Sequence, residues 1–272
     1  MTNEKFDLAI IGSGGGAFAA AIRATGLGKR VVMVERGTVG GTCVNAGCVP
    51  SKALLAAAEA RHVALDSARF PGVAASAGPV DMPALIQGKA ALVESMRTEK
   101  YVDLAAAYGW TMISSVASFT GTQDAPLLRV ISPDGAVRTI EAGHYLVATG
   151  SAPYVPPVPG LAEAGYLTST TAMELDEVPE SMLILGGGYV ALEMAQLFSR
   201  LGSRVTMLVR SRLASQEEPE VSKALAGVFA DEGIRVARRV MADSVASGPD
   251  GVSVTANVAG GEEVFRASRI LV

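Results

Sequence analysis

Cysteine is almost absent: the 272 residues contain two, Cys43 and Cys48, with four residues between them. Two cysteines cannot build the multi-bridge framework of a small secreted domain, so the reducing cytoplasm is the default compartment. Histidine is equally scarce, and neither His62 nor His144 has neighbours at metal-ligand or general-base spacing. Both are read as structural or surface residues. An excess of positive charge is missing too. The formal net charge is −4 and no basic run is present, which argues against a nucleic-acid partner. No apolar stretch approaches the ~20 residues of a membrane span. The opening Met1-Thr2-Asn3-Glu4-Lys5 is not a basic segment leading into a long apolar one, so neither a signal peptide nor a membrane partner is expected. The single tryptophan, Trp110, is read as packing.

Apolar residues, by contrast, make up 49% of the chain and charged residues 18%, a balance that leans towards buried parallel sheet. Phe6 to Ile11 is a short apolar run that ends in Gly12-Ser13-Gly14-Gly15-Gly16-Ala17. An alanine-rich helix to about Thr25 and a strand from Arg30 to Glu35 follow, the opening of a doubly wound fold. One or two helices are expected between Pro83 and Tyr108, then short strands between Thr111 and Val147. Ser132-Pro133-Asp134-Gly135 is read as the turn of a hairpin joining Leu127–Ile131 to Val137–Ile140. The proline-rich stretch from Ala152 to Gly160 marks a boundary.

The opening organisation then recurs. Met182 to Leu185 leads into Gly186-Gly187-Gly188-Tyr189-Val190-Ala191, a helix to about Leu201 and a strand from Arg204 to Val209. One constant offset sets Gly12 on Gly186, Gly14 on Gly188, Ala17 on Ala191 and Glu35 on Val209. Two such units suggest two dinucleotides. In each loop the first glycine allows a tight turn and the second lets backbone approach a pyrophosphate. The small residue at the third place lets helix pack on strand, and the helix N-terminus faces the phosphates. Gly15 belongs to the same cradle. Glu35 can accept hydrogen bonds from ribose hydroxyls. Its counterpart is Val209, followed by Arg210 and Arg212, which can pair with a 2′-phosphate where a carboxylate would repel it. The second site is therefore expected to prefer NADPH, the alternative being that both arginines lie in a solvated loop.

Between the two units stands Gly40-Gly41-Thr42-Cys43-Val44-Asn45-Ala46-Gly47-Cys48-Val49-Pro50-Ser51-Lys52. The pair is read as lying on one helix and as close enough for a disulfide across about one turn. Beside a dinucleotide cofactor such a pair is a candidate redox dithiol; two buried, inert cysteines are the alternative. A nearby helix N-terminus is expected to lower a thiol pKa. Met173 to Glu177 and Gln216 to Glu218 are read as solvated acidic faces.

This segment, with the two glycine loops and Ala148-Thr149-Gly150-Ser151-Ala152-Pro153, resembles the flavin-dependent disulfide reductases, the family that includes dihydrolipoamide dehydrogenase and glutathione reductase. The resemblance implies a glutathione reductase-like α/β fold with two Rossmann-like dinucleotide-binding domains, three-layer and mostly parallel with an added β-meander. It implies an FAD-binding domain over 1–153, with Gly41, Thr42, Thr149 and Gly150 among its contacts, and an NADPH-binding domain over 154–272. Cys48 matches the sulfur nearest the flavin, and Cys43 the outer sulfur that exchanges with substrate or binds metal. Lys52 matches the lysine beside the flavin, Glu193 its carboxylate partner, and Tyr189 the aromatic that covers the nicotinamide pocket. Glu193 pairing only within its helix, and Tyr189 as plain core, are the alternatives. Ala46 stands where valine is common and is expected only to loosen local packing. Within the family, Val44, Val49, the stretch from Glu99 to Leu104 and Tyr108-Gly109-Trp110 lean towards the branch whose substrate is Hg(II), held by Cys43 and Cys48; a lipoamide-type or other small-disulfide reductase is the alternative. Arg269-Ile270-Leu271-Val272 reads as the entry to another strand. The chain is accordingly expected to be an N-terminal fragment lacking the family's C-terminal dimerisation domain, the full-length protein being a homodimer. Alone, it is expected to bind FAD weakly and to turn over little.

Overall fold

The computed structural model describes residues 4–131 and 135–272. In chain order the elements are β1 (Glu4–Ile11), α1 (Gly15–Gly26), β2 (Val31–Glu35), α2 (Gly41–Asn45), α3 (Cys48–Leu65), α4 (Met82–Arg97), α5 (Asp103–Ala107), β3 (Thr111–Ser114), β4 (Val116–Gly121), β5 (Pro126–Ile131) and β6 (Val137–Val147). There follow α6 (Ser169–Ala172), β7 (Ser181–Leu185), α7 (Tyr189–Leu201), β8 (Arg204–Val209), α8 (Pro219–Asp231), β9 (Arg235–Arg238), β10 (Met241–Gly248), β11 (Gly251–Val258), β12 (Gly261–Ala267) and β13 (Arg269–Leu271). Both glycine loops fall between a strand and a helix, as their sequence requires.

The chain divides into two compact units, Met1–Pro50 with Ala90–Ala152, and Ser51–Lys89 with Pro153–Val272. The proline-rich stretch is a boundary, but packing does not follow a single cut at 153. Ser51–Lys89 joins the later residues because Leu54, Ala58 and Met82 are buried in a core with Met182, Leu192 and Phe198. Helical periodicity in this segment shows an apolar face without showing which sheet it covers.

The first unit holds a six-stranded sheet of order β3-β2-β1-β6-β5-β4. β1 pairs in parallel with β2 (Leu8 opposite Val31) and with β6 (Leu8 opposite His144), and β5 pairs antiparallel with β6. Residues alternate between faces along β2. Val31 and Met33 pack with Ala17, Phe18 and Ala21 of α1, whereas Val32 and Val34 pack with Leu128, Val130 and Ile140. The hairpin strands end at Ile131 opposite Val137, while Ser132, Pro133 and Asp134 of the expected turn lie outside the described residues. Because β2 and β6 flank β1 on opposite sides, the carboxyl ends of these strands border a crevice where doubly wound sheets bind ligands.

The second unit holds the parallel sheet β13-β7-β8-β9 and the antiparallel meander β10-β11-β12. Met182 and Ile184 face a helix-covered core with Leu192, Ala195 and Phe198, whereas Leu183, Leu208 and Ile270 face Val254 and Phe265 of the meander. Near-continuous apolar strands such as Met182-Leu183-Ile184 follow from a sheet covered on both sides. No helix among the described residues is long and apolar enough to cross a membrane.

Candidate functional site

The glycine loops separate two reasons for being glycine. Gly12 and Gly186 sit at φ +106° and +131°, a region side chains avoid, and a Cβ on Gly12 would lie 2.2 Å from the Ala148 carbonyl oxygen. Gly14 and Gly188 carry no such demand. They sit at φ −76° and −80°, open to any residue. A Cβ would meet Gly41 Cα at an ordinary 3.9 Å from Gly14, and nothing within 4 Å from Gly188. The fold would accept a side chain at both places, so what these glycines keep open is space above a helix N-terminus. That is the fit a pyrophosphate requires.

The space over the first loop is a cleft of about 1070 Å³ lined by Gly12 to Ala17, Glu35, Gly41, Thr42, Cys43, Thr149 and Gly150. Gly15 opens α1, and Ala17, fully buried, lets that helix lie close against β1 and β2. Glu35 ends β2 with its carboxylate fixed: Ser13 Oγ donates to Oε2 at 2.6 Å and the Gly37 amide to Oε1 at 2.8 Å. The buried Ser13 hydroxyl also accepts from the Gly40 amide at 3.2 Å, which ties the glycine loop to the start of α2. Ser13 went unnoticed in the sequence because it occupies a variable place in the glycine pattern.

The cysteines do not share one helix. α2 carries Cys43 and stops at Asn45, and α3 begins at Cys48. Asn45 stabilises the break, donating to the Val39 and Gly41 carbonyls at 3.0 and 2.9 Å and accepting from Arg97 at 3.0 Å. No disulfide joins the pair, and both side chains are exposed. They face each other: a hydrogen bond with Cys48, then burial, then the Cys48 charge push the Cys43 thiol above its ordinary range. The expected lowering is therefore not met at Cys43, whose neighbour favours its keeping the proton. Tyr101 borders the pair. Burial first, and then the charges of Cys43 and Cys48, raise its phenol, and its ring meets Phe18 edge-on at 4.8 Å. It lies in the stretch from Glu99 to Leu104, where a tyrosine within a small π-helical turn gives no signal of which groups it faces.

In the second unit, Lys52 Nζ donates to Glu193 Oε1 at 2.5 Å, so Glu193 pairs outside its own helix. Both side chains are well exposed, 61% and 38%, and such a pair contributes less than about 1 kcal/mol. Tyr189 is exposed at the start of α7 rather than core, and its hydroxyl donates to Glu217. Arg210 is exposed at the end of β8. Arg212 instead braces the following loop, donating to Ser222 Oγ at 3.1 Å and to the Ser215 and Glu217 carbonyls at 3.0 and 2.7 Å. The two acidic faces are also more than solvated surface. Met173 is buried, Glu174 pairs with the buried Lys89, and Glu217 is held by Tyr189.

A further charged cluster has no counterpart in the sequence motifs. Arg200 forks onto Glu232 at 2.8 and 2.7 Å and also pairs with Glu59. The bond and charge of Glu232 raise the guanidinium of Arg200. Burial works to raise the Glu232 carboxyl, but bonds from Arg200 and Gln196 and the charges of Arg200 and His62 hold it below its ordinary range. Removing one member of so enclosed a pair costs about 3 kcal/mol. No group of three or more His, Cys, Asp or Glu among the described residues is placed to hold a metal ion.

This arrangement of glycine loops on parallel sheets with a dithiol at one cleft belongs to a known class. Residues 6–272 match the family model for pyridine nucleotide-disulphide oxidoreductases, and the chain belongs to that family. Its relatives include mercuric reductases. It is 58% identical to that of Streptomyces lividans over 272 residues, which is all of this chain and 57% of the relative. It is 43% identical to that of Staphylococcus aureus over 268 residues, 98% of this chain and 47% of the relative. Among solved structures it is similar to a Cu(II) complex of the HOCl-induced flavoprotein disulfide reductase RclA from Escherichia coli. There the TM-score is 0.80 and the identity 26%, covering all of this chain and 56% of that one. The chain spans about half the length of the curated relatives it matches.

Proposed function

We propose that this chain carries the FAD site, the redox dithiol and the pyridine-nucleotide site of an NADPH-dependent reductase that converts Hg(II) to Hg(0). The observation that carries the reading is the first-unit cleft, where a fixed ribose-type acceptor, Glu35, and an open helix N-terminus share one space with Cys43. The mercuric reductases among its relatives support Hg(II) as the substrate.

In this reading Gly14, Gly15 and the α1 N-terminus receive the pyrophosphate of FAD, and Glu35 accepts its ribose hydroxyls. Gly41, Thr42, Thr149 and Gly150 shape the wall along it. Bound FAD supplies two-electron transfer between the nicotinamide and the dithiol side of the protein. Gly186, Gly188 and the α7 N-terminus receive the pyrophosphate of NADPH, with Arg210 offered to the 2′-phosphate and Tyr189 standing at the nicotinamide end. Lys52, oriented by Glu193, supplies positive charge where the flavin becomes electron-rich.

Cys43 and Cys48 are the soft ligands that suit Hg(II). Each loses its proton as it binds the ion, and two electrons originating from NADPH break both Hg–S bonds. The products are Hg(0), two thiolates and NADP⁺, and the net reaction is NADPH + Hg²⁺ → NADP⁺ + H⁺ + Hg(0). The full-length protein would work as a homodimer in the cytoplasm, where thiols stay reduced. Cys43→Ala or Cys48→Ala in the full-length protein should abolish NADPH-dependent Hg(II) reduction while FAD stays bound. Full activity in either variant would remove the dithiol from the mechanism.

A further inference from the structure

α3 and α7 are joined twice at a common spacing. Lys52 and Glu59 are seven residues apart on α3, as are Glu193 and Arg200 on α7, and Lys52 pairs with Glu193 as Glu59 pairs with Arg200. Seven residues are two helical turns, about 10.5 Å. Leu54 and Ala58 of α3, between these rungs, share a core with Leu192, Ala195 and Phe198 of α7. Arg61 adds a bond to the Arg200 carbonyl at 2.7 Å.

The rungs are unequal. The Lys52–Glu193 pair is formed by two long, solvated side chains, which cannot by themselves fix how one helix stands against the other. The Arg200 side chain is 14% exposed and that of Glu232 9%. The guanidinium is forked onto Glu232, Gln196 donates to the same carboxylate at 2.8 Å, and the outward Arg200 nitrogen takes Glu59. The planar, two-point contact with Glu232 fixes the direction of the guanidinium, and with it where the outward nitrogen meets Glu59 of α3. The apolar seam sets the separation of the helices, and Arg200, its direction held by Glu232, meets α3 at Glu59 and through the Arg61 bond to its carbonyl.

We propose that Arg200 is a positioning residue: with Glu59 and Glu232 it fixes the register of α3 on α7 and so holds Lys52 against Glu193, two turns away. The consequence for electron transfer rests on the reading of Lys52 as the charge beside the flavin. Glu59, Arg200 and Glu232 touch neither cofactor nor substrate in that reading and act only through Lys52.

The test uses the full-length protein, with and without FAD, and two variants. Arg200→Lys keeps the charge but loses the fork, and Glu59→Gln removes only the exposed end of the rung and spares the fold. The first readout is the acetylation rate of Lys52 by an N-hydroxysuccinimide ester, followed by mass spectrometry, which does not depend on the flavin. Both variants should raise it about threefold, matching Glu193→Gln, as expected when an exposed ion pair is released. An unchanged rate in both, whatever happens to thermal stability, would make Arg200 a merely structural residue and overturn the proposal. The second readout is the flavin midpoint potential, which should fall in both variants and not respond to them in a Lys52→Met background. An equal fall in both backgrounds would overturn the route through Lys52. Faster acetylation with an unmoved potential would uphold the register clamp and overturn the placement of Lys52 beside the flavin.

Discussion

Alanine at Gly14 separates what the fold needs from what the ligand needs. Gly14 has φ −76° and ψ 179°, and a Cβ there would meet only Gly41 Cα, at 3.9 Å. Nothing in the protein resists the substitution, and a less flexible unfolded chain favours it by about 0.4–1 kcal/mol. The methyl group would instead project into the cleft where the pyrophosphate is proposed to sit, and forcing an extra methyl into a filled contact costs about 1–3 kcal/mol. At ~1.4 kcal/mol per tenfold, the FAD dissociation constant should rise about 5- to 150-fold while the apoprotein melts no lower than wild type and at most ~4 °C above it. Gly12→Ala provides the contrast. Its Cβ would stand 2.2 Å from the Ala148 oxygen at φ +106°, so left-handed strain and overpacking together cost about 2–5 kcal/mol. In a domain of this size that lowers the melting temperature by roughly 5–15 °C. Flavin fluorescence titration and circular dichroism melting of the full-length apoprotein measure both quantities. The reasoning is refuted if Gly14→Ala leaves FAD affinity unchanged, or destabilises the apoprotein as much as Gly12→Ala does.

Replacing Arg210 with Ala should raise the NADPH KM much more than the NADH KM, because Arg210 alone of the two arginines is exposed without a bracing role in its loop. Arg212→Ala should loosen that loop and impair both nucleotides alike; equal effects of the two substitutions would sink the division of labour. Cys43 should alkylate with iodoacetamide more slowly than an ordinary thiol at pH 8 and catch up only above its ordinary pKa near 9, since Cys48 raises it. In Cys48→Ala that lag should shrink to the part that burial causes, and an undiminished lag would locate its cause elsewhere. Glu232, with its pKa depressed, contributes stability above its ordinary value near 4.5 that is lost as pH falls through the lower folded value. Glu232→Gln should therefore melt earlier at neutral pH and converge on wild type in acid. A constant difference across that range would contradict the linkage.

Much of the site was legible because its residues are dictated locally. Gly12 and Gly186 are forced by backbone conformation, Glu35 by the end of a strand, and the cysteine segment by a spacing that few other functions require. What was not legible depends on residues distant in sequence. Leu54 and Ala58 announce an apolar helix face, but only folding decides that it packs beside Phe198, and so the boundary at 153 did not anticipate where Ser51–Lys89 belongs. Glu174 and Glu217 look like surface charge until Lys89 and Tyr189 reach them from other elements. The spacing itself argued against one helix: residues five apart on a helix have Cα atoms about 8.6 Å apart, beyond disulfide reach, and α2 ends at Asn45 before α3 opens at Cys48. The cause of the break is local yet specific: Asn45 draws its bonds from Val39, Gly41 and Arg97, and a Cβ on Gly47 would lie 3.0 Å from the Thr42 carbonyl. The Arg200 cluster left no trace, since arginine and glutamate on helices usually face water.

In the proposed reaction the dithiol delivers electrons to Hg(II) rather than to an organic disulfide. The most direct measurement compares kcat/KM of the full-length, FAD-loaded protein with NADPH for thiol-complexed Hg(II), lipoamide and glutathione disulfide. The account predicts Hg(0) release with one NADPH oxidised per metal atom and little turnover of either disulfide. Efficient reduction of a disulfide, with no Hg(0) released, would contradict it.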